Sequence, residues 1–449
     1  MRKVNYSKLT GEVITKDDYE YEDSRIAWNR AIQKYPLVIV YCNNKDDIKN
    51  SILWAKENDI PFRIRSGCHN YEGYSTGNDV LVIDVSKMND IYVDERNKEV
   101  TIGGGTRNRE LYEALGTLGY PFPGGGCPTV GVVAFALGGG WGYSSRLFGL
   151  GCDNLIKAEF INYDGLEVTA SEKANSDLLW AAKGAGGGNF GVVTSMTFKI
   201  PEKIEMATLI NIDCGNIDTD EMVQLIKTVF SEFDTLDNRM NLKTAIYNSE
   251  ERGIGIKITG LFYGNMDEAN RILNPIKSIP TKIKFDLEYM TVLEANRAIQ
   301  DSHPDYEKYK STGRFAFRDY TEDEIRELIN IIKNNANGAY YTAISFYGLG
   351  GAIKKVDKSS SAFYYRDAKF IMGIQSVFEE DKYAKENIQW VKENFKHIEK
   401  LTEGSFVNFP YEGLSNYAKD YYGENRFKLR EIREKYDPSH IFNFEQGIK

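Results

Sequence analysis

Two nucleophilic side chains stand in glycine-rich surroundings in this sequence. His69 closes the run Arg65–His69 (RSGCH), and Cys127 lies within Gly124–Gly131 (GGGCPTVG). A neutral imidazole is a competent nucleophile near neutral pH, whereas a thiol must first ionise. A lone histidine or cysteine is usually a packed core residue. Small residues beside both, however, let the main chain approach a flat ligand closely, which favours a role in holding one.

Glycine triplets recur through the first half of the chain, at positions 103–105, 124–126, 138–140 and 186–188. Such runs are costly in chain entropy, so they indicate repeated close approach of main chain to a flat or charged group rather than turns alone. The GxGxxG run Gly186–Gly191 follows a helical pattern and precedes a strand pattern. A dinucleotide fingerprint needs the opposite order, so the context argues against a Rossmann site.

Length, charge and composition limit the number of domains and the kinds of partner that the chain can have. A chain of 449 residues predicts two or three domains. Its net charge of −9 argues against a nucleic-acid partner, which needs a basic stripe. No signal peptide or apolar run of about 20 residues is present, so we expect a cytoplasmic protein without a membrane partner. Five cysteines and four scattered histidines predict neither a disulfide framework nor a metal site.

The glycine content and the order of predicted helices and strands change near residue 204. Before it, strand and helix signals alternate, and we expect Asp46 to cap the first long helix. After it, glycine thins out and an α+β pattern appears, which predicts an antiparallel sheet backed by helices. The predicted helices span 220–233, 266–273, 321–335 and 382–401, and the predicted strands span 240–247, 253–263, 340–347 and 363–376.

Several motifs, in a fixed order, resemble the berberine bridge enzyme-like flavin oxidases from about residue 30 onward. They are Arg65–His69 with Tyr71–Ser75, Gly124–Gly131, Gly138–Gly142 with Ser145 and Arg146, Asp153 with Asn154, Asp177–Trp180, Gly186–Thr194, Gly350–Ala352, Arg366, Tyr421–Asn425, Asp437 with Pro438, and Gln446.

This resemblance implies a PCMH-type (vanillyl-alcohol-oxidase-type) α+β fold. The FAD-binding domain would combine residues 1–203 with 404–449, and residues 204–403 would form the substrate domain with its antiparallel sheet. The resemblance also implies FAD attached twice, through the His69 imidazole to the 8α-methyl group and through the Cys127 sulfur to ring carbon 6. Double attachment raises the reduction potential of the flavin and retains it in an open site.

Further FAD contacts follow from the same resemblance. Backbone amides in Ser66–Asn70 are expected to form a nest for the pyrophosphate, and glycines at 131 and 138–142 are expected to lie against the flavin and ribityl chain. The expected cofactor-binding residues beyond the two tethers are Arg65, Ser66, Gly67, Cys68, Asn70, Thr129, Val130, Gly131, Gly138, Gly139, Gly140, Gly142, Tyr143, Gly191, Val193, Tyr422 and Asn425.

The chain departs from the family where a catalytic base is expected. The family often carries Tyr-x-Asn-Tyr before its C-terminal helix, whereas this chain has Phe406-Val407-Asn408-Phe409. Candidate replacement bases are Tyr71, Tyr364, Tyr365 and Tyr411, and Arg366 could lower the pKa of a phenol, which is normally about 10. Alternatively the substrate needs no strong base, or activity has been lost. Cys68 replaces the family's glycine, and Phe135 stands where some members carry histidine.

The expected function is oxidation of a small organic molecule, a specialised-metabolite intermediate, with O2 as electron acceptor and H2O2 as product. Gly125, two residues before Cys127, supports this because a small residue there leaves room for O2 in the family. Alternatives are a carbohydrate oxidase, a dehydrogenase with another acceptor, and a flavin-binding protein without turnover. We expect a monomer or homodimer.

Overall fold

The computed structural model describes residues 4–449 and confirms an α+β fold. Its strands are β1 (Glu12–Thr15), β2 (Val38–Tyr41), β3 (Phe62–Arg65), β4 (Leu81–Asp84), β5 (Ile91–Asp94), β6 (Glu99–Gly103), β7 (Leu155–Ile161), β8 (Glu167–Ser171), β9 (Val192–Lys199), β10 (Met206–Gly215), β11 (Met240–Ser249), β12 (Gly253–Phe262), β13 (Lys284–Thr291), β14 (Lys308–Ala316), β15 (Ala339–Gly348), β16 (Phe370–Phe378) and β17 (Glu403–Ser405).

The α-helices lie between these strands and follow the last of them. They are α1 (Tyr21–Arg25), α2 (Lys45–Asn58), α3 (Asn108–Gly116), α4 (Val132–Leu137), α5 (Ser145–Phe148), α6 (Ser176–Ala182), α7 (Thr219–Phe233), α8 (Met266–Ile272), α9 (Asn274–Lys277), α10 (Val292–Asp301), α11 (Glu322–Lys333), α12 (Ala352–Lys355), α13 (Ala384–Lys400), α14 (Tyr417–Tyr422) and α15 (Asn425–Tyr436). None of the helices in residues 4–449 has the length and apolar character that crossing a membrane requires.

The N-terminal sheet has the order β1-β2-β4-β3, with β2, β4 and β3 parallel. Strand β4 is buried at all four positions, as expected for a parallel strand covered on both faces. Helix α2 begins after Asn44, whose side chain accepts hydrogen bonds from the amides of Asp46 and Asp47. The prediction that Asp46 caps this helix was therefore wrong by two residues, because the Asn44 side chain reaches both free amides.

A second sheet, of order β5-β6-β9-β7-β8, is antiparallel throughout. Its apolar side chains form one core with α4, α6 and the C-terminal helix α15, which contributes Leu429 and Ile432. The tail is tied to this region by hydrogen bonds: Tyr422 donates to the Ala185 carbonyl at 2.8 Å, and the Ile448 amide donates to Asn189 Oδ1 at 3.0 Å. These contacts support the proposed grouping of residues 404–449 with 1–203.

The largest sheet is antiparallel, with the order β13-β10-β12-β11-β15-β16-β14-β17. One face packs on α7, α11 and α13 to form an extensive hydrophobic core. The helices and strands expected here are confirmed within a few residues, except that β16 begins at Phe370 rather than 363. The amides of Ala362 and Phe363 instead bond to Trp180 and Lys183 carbonyls at the end of α6.

Candidate active site

A cavity of about 580 Å³ lies where the three sheets and the tail meet. Its walls come from the end of β3, the loop before α4, the glycine loop before β9, the second face of the largest sheet, and residues 442–446. Of the expected FAD-binding residues it is lined by Arg65, Ser66, Gly67, Cys68, His69, Asn70, Cys127, Val130, Gly131, Tyr143, Gly191, Val193 and Tyr422. Sequence motifs far apart in the chain are thus brought to one space.

The loop Ser66–Asn70 presents unsatisfied polar groups to this cavity. Within residues 4–449, no protein acceptor is found for the backbone amides of residues 67–70, and the buried Ser66 hydroxyl has no partner. Cys68 adopts φ +61°, a left-handed conformation that helps to turn successive amides inward. Successive amides without protein acceptors, beside a buried hydroxyl without a partner, fit the oxygens of an anionic ligand such as a pyrophosphate.

Arg65 lines the cavity, but its guanidinium is hydrogen-bonded to other protein groups. Its Nε donates to Asp84 at 2.5 Å and its Nη1 to the Ser24 carbonyl at 2.8 Å. Both side chains of the Arg65–Asp84 pair are almost fully buried. Arg65 therefore fixes the end of β3 and has few donors left for a ligand, while the loop that follows carries the open amides.

The His69 imidazole is held by two neighbours. Its Nε2 lies 2.8 Å from Thr129 Oγ1, and its ring stacks on Trp28 at a centroid separation of 4.8 Å. Burial, with added repulsion from Arg107 and His303, lowers the pKa of His69 to about 3. The ring is consequently neutral at physiological pH and keeps a lone pair for bond formation.

Cys127 shares a neighbour with His69. Its Sγ lies 3.8 Å from Thr129 Oγ1, and its carbonyl accepts from Asn108 Nδ2 at 3.0 Å. Burial raises the pKa of the Cys127 thiol, and hydrogen bonds from Thr129 oppose that rise. The two nucleophiles singled out in the sequence thus converge on one threonine.

Four expected flavin-contacting glycines do not line the cavity and are explained by protein packing. A Cβ at Gly138 would clash with the Asn408 amide, at Gly139 with Phe363, at Gly140 with Phe135, and at Gly142 with the Gly124 carbonyl. Packing alone therefore accounts for these glycines, and their contact with the cofactor stays a prediction. Asn425 also lies elsewhere, donating to the carbonyls of Ser361 and Ala362 at 3.2 and 3.3 Å. Thr129 does not line the cavity itself but contacts both nucleophiles.

Among the candidate bases, only Tyr71 reaches the cavity. Its ring stacks on Phe409, with centroids 5.1 Å apart and planes 6° from parallel. Burial, reinforced by Tyr347 and Tyr309, raises the pKa of Tyr71 well above its usual value. Tyr71 therefore keeps its proton at neutral pH and suits a hydrogen-bond donor better than a base.

The other four candidates do not line the cavity because each is engaged elsewhere. Arg366 forms a two-pronged ion pair with Asp153 at 2.8 and 2.7 Å, and Tyr365 donates to the Lys419 carbonyl at 3.1 Å. Tyr411 packs on Phe395 with centroids 4.3 Å apart, and Tyr364 packs edge-on against Tyr365. Helix and tail packing hold these four side chains outside the cavity, and a role for any of them at the reaction site stays a prediction.

The largest sheet and the segment before β14 supply cavity residues that the sequence analysis missed. They are Lys243, Lys257, Tyr341, Ser345, Tyr347, Gln375, His303 and Glu307, with Trp28 from the N-terminal segment. Burial raises the pKa of Glu307 to about 7, and nearby Lys243 opposes this rise. The only signal in the sequence is the alternation of polar with apolar residues along the strands, which many exposed sheets share.

Comparison with known proteins shows where this arrangement recurs. Residues 36–171 match an FAD binding domain family, and residues 405–449 match the "Berberine and berberine like" family. An uncharacterised FAD-linked oxidoreductase, YgaK of Bacillus subtilis, is 33% identical over 448 residues, covering 98% of this chain and 97% of its own.

Solved structures agree in fold. BBE-like 1 of Physcomitrella patens superposes with a TM-score of 0.90 at 24% identity, covering 99% of this chain and 98% of its own. A berberine bridge enzyme structure, a glycine-to-alanine variant described as a reticuline dehydrogenase, gives 0.89 at 19% identity over 99% and 97% of the two chains.

Fold and cavity define a PCMH-type FAD-binding protein, and the unpartnered amides and Ser66 hydroxyl fit such a cofactor. The chain belongs to the berberine bridge enzyme-like FAD-linked oxidoreductases.

Proposed function

We propose that this protein is an oxidase with a doubly attached FAD. It removes a hydride from a small organic molecule, and O2 takes the electrons to give H2O2. The observation that carries the proposal is the convergence of His69 Nε2 and Cys127 Sγ on Thr129 Oγ1, at 2.8 and 3.8 Å, beside a cavity with unpartnered amides.

The protein's own groups are suited to attachment. When bound, FAD supplies the hydride acceptor, and the protein supplies position and electrostatics. His69 is neutral, and its Nδ1 has no hydrogen-bond partner within residues 4–449 because Nε2 faces Thr129. Cys127 needs its thiolate, which burial disfavours. Hydrogen bonds from the Thr129 amide and hydroxyl and from the Val130 amide oppose this effect and support the charged sulfur.

Glu307 is the candidate base. Its carboxyl lines the cavity, and its backbone is fixed by Arg30 and Trp28, whose N–H and C=O bond to it at 2.7 and 3.4 Å. A pKa of about 7 lets a carboxylate accept a proton at neutral pH and hold it. This assignment replaces the tyrosinate that Phe406 and Phe409 cannot provide.

Gly125 supports O2 as the electron acceptor. A Cβ there would lie 2.9 Å from Asn108 Nδ2 and 3.1 Å from Phe135 Cε2, so the space beside Cys127 exists only for glycine. The glycine-to-alanine variant of berberine bridge enzyme described as a dehydrogenase is consistent with this role.

Attachment is tested on purified protein by acid precipitation and by mass spectrometry of proteolytic peptides. We expect yellow precipitate and flavin mass on the peptides containing His69 and Cys127. His69→Ala and Cys127→Ala each leave one attachment, and the double variant releases all FAD to the supernatant. His397→Ala and Cys214→Ala, which change residues outside the cavity, serve as controls and retain both attachments. Unmodified peptides from protein matured with ample FAD would overturn the proposal.

Turnover is tested by screening small alcohols, amines, phenols and oligosaccharides for flavin bleaching without air, followed by mixing with air. An oxidase reoxidises within seconds and forms peroxide. Gly125→Ala is expected to slow reoxidation at least about tenfold, about 1.4 kcal/mol, with the reductive rate little changed. Gly126→Ala is the matched control, since its Cβ meets only ordinary contacts at 3.5 Å and beyond. Reduced wild-type protein persisting for minutes in air indicates a dehydrogenase, and no bleaching with any compound indicates a binding protein.

A further inference from the structure

The cavity-facing side of the largest sheet is polar, although its other side is a hydrophobic core. Along β11, Leu242 and Ile246 enter the core while Lys243 faces the cavity. The same alternation places Ile256 and Ile258 of β12 in the core. The residues of this sheet that line the cavity are Lys243, Ala245, Lys257, Thr259, Tyr309, Tyr341, Ser345, Tyr347 and Gln375. A cavity wall of this composition is built to receive a polar ligand group.

Two lysines lie close together on this face. Lys243 pairs in register with Thr259, and Ala245 pairs with Lys257, so the two lysines are diagonal neighbours on adjacent strands. The pKa of Lys257 also reflects this proximity. It is lowered first by burial and then by repulsion from Lys243. Within residues 4–449, neither ammonium group has a carboxylate within ion-pairing distance. Like charges placed side by side without a counter-ion are unfavourable unless an anion joins them.

The nearby acidic groups do not cancel this charge. Asp213 lies opposite Lys257 on β10, but its carboxylate is engaged by Arg252 at 3.2 Å and by the Tyr247 hydroxyl at 3.0 Å. Glu307 carries at most one negative charge, and with its pKa of about 7 only part of it at neutral pH. Burial lowers the pKa of His303, which disfavours a positive charge on that ring. The cavity retains net positive charge around Lys243 and Lys257.

The remaining walls are flat and aromatic. Tyr347 lies between the lysine face and the aromatic residues, with its ring 4.9 Å from the Lys243 Nζ and its centroid 5.3 Å from that of Phe409. Trp141 donates its indole N–H to the Gly348 carbonyl at 2.6 Å, which leaves its ring as an apolar wall. Such walls favour a ring beside the charged group.

We propose that the substrate is a ring-bearing carboxylic acid whose carboxylate is bound by Lys243 and Lys257. This inference rests on the proposed function in placing the substrate in this cavity, but carboxylate binding itself needs no turnover. Gln375 and Ser345, on the same face, supply further donors to the carboxylate oxygens. Neutral sugars and simple amines lack the group that this face is built to hold.

The test compares benzoate with benzamide, a neutral molecule of nearly the same shape, titrated calorimetrically into the flavin-loaded protein. Wild-type protein is expected to bind benzoate at least about tenfold more tightly, a difference of 1.4 kcal/mol. In Lys243→Met/Lys257→Met the preference falls to within about twofold while benzamide affinity is unchanged. Lys173→Met, on an exposed turn, keeps the wild-type preference.

Three results would overturn the inference: equal affinity for the two probes in the wild-type protein, no binding of benzoate, or a carboxylate preference that survives in the double variant. Should the double variant fold poorly by circular dichroism, Lys257→Met alone, at an exposed position in the cavity mouth, is expected to reduce the preference several-fold. Because binding is measured without a reducing substrate, failure of oxidase activity leaves this outcome unaffected.

Discussion

At the scale of single residues, the site is organised by groups that were not themselves expected to react. Thr129 contacts both nucleophiles, and Trp28 fixes the plane of the His69 ring. Cys68 adopts the left-handed conformation at φ +61°, which glycine enters more readily than cysteine. Holding a non-glycine residue there costs on the order of 1–2 kcal/mol, which the packed surroundings sustain.

Removing the Thr129 hydroxyl is expected to slow attachment of the flavin. Thr129→Val keeps the shape but leaves His69 Nε2 and Cys127 Sγ without their shared partner, so the covalently bound fraction should fall several-fold in a timed maturation of apoprotein with FAD. Thr129→Ser, which keeps the hydroxyl, is expected to restore it. Equal rates in Thr129→Val and wild-type protein would remove the positioning role.

Changing Glu307 tests the base. A base must be ionised, so kcat/KM for wild-type protein is expected to rise with pH through about 7, following the raised pKa of Glu307. Glu307→Gln should lower kcat/KM by about 10²–10⁴-fold and abolish this inflection, with flavin content unchanged. An unaltered pH profile in Glu307→Gln would assign the inflection to another group.

At the scale of elements, a buried ion pair joins the largest sheet to the loop that carries Tyr71. Lys310 on β14 contacts Glu72 at 2.6 and 2.7 Å, and both side chains are more than nine-tenths buried. The Glu412 amide also donates to Glu72 at 3.0 Å, so the C-terminal tail contacts the same ion pair. One pair thereby sets the position of three segments around the cavity.

Breaking one side of this pair leaves a buried charge without a partner. Lys310→Met is expected to lower the free energy of unfolding by about 3–5 kcal/mol, measured by urea denaturation. Lys310→Met/Glu72→Gln should recover much of this loss because no unpaired charge remains. If the single and double variants were equally destabilised, packing rather than charge would explain the loss.

The sequence identified those elements whose signals are local. Helices α7 and α11 carry apolar residues at helical spacing, and both were predicted close to their observed bounds. Strand β14 was missed because it is polar in composition and yet buried on both faces. Its Lys310 is buried against two carboxylates, Glu72 at 238 positions away and Glu412 at 102, and such pairings have no local sequence signature.

The same distinction applies to the candidate site. The loops that hold His69 and Cys127 are contiguous motifs, so their residues could be named from the sequence. Lys243, Lys257 and Glu307 come from separate strands and a connecting segment, and only the register of the sheet brings them together. Glycines 138–142 are ambiguous in the sequence because dense protein packing and a bound cofactor both require glycine.

At the scale of the whole molecule, the cofactor cavity is the junction of every large part of the fold. Its walls include β3, the loop after α3, the largest sheet, and residues 442–446 of the tail. A ligand that contacts all of these walls binds only the folded state, because unfolding separates the walls. Such a ligand therefore stabilises the folded state.

Under the proposed double attachment, removing both tethers is expected to make the stability of the protein depend on free FAD. In His69→Ala/Cys127→Ala, the melting temperature should rise with added FAD, by an amount equivalent to about 2.7 kcal/mol at 100 times Kd. Wild-type protein, with the cofactor attached, should show no such dependence in differential scanning calorimetry. If the melting temperature of the double variant did not change with added FAD, the cavity would not be the FAD-binding site.

The wide separation of the cavity walls along the chain has a consequence for biosynthesis. A nascent polypeptide that has been translated only through the glycine loop at 186–188 already carries His69 and Cys127, but it lacks the lysine-bearing strands and Phe442–Gln446. FAD cannot be held by half of the cavity, so its binding requires the walls that are synthesised last. We therefore expect FAD to bind after the C-terminal segment has been synthesised, rather than early in translation.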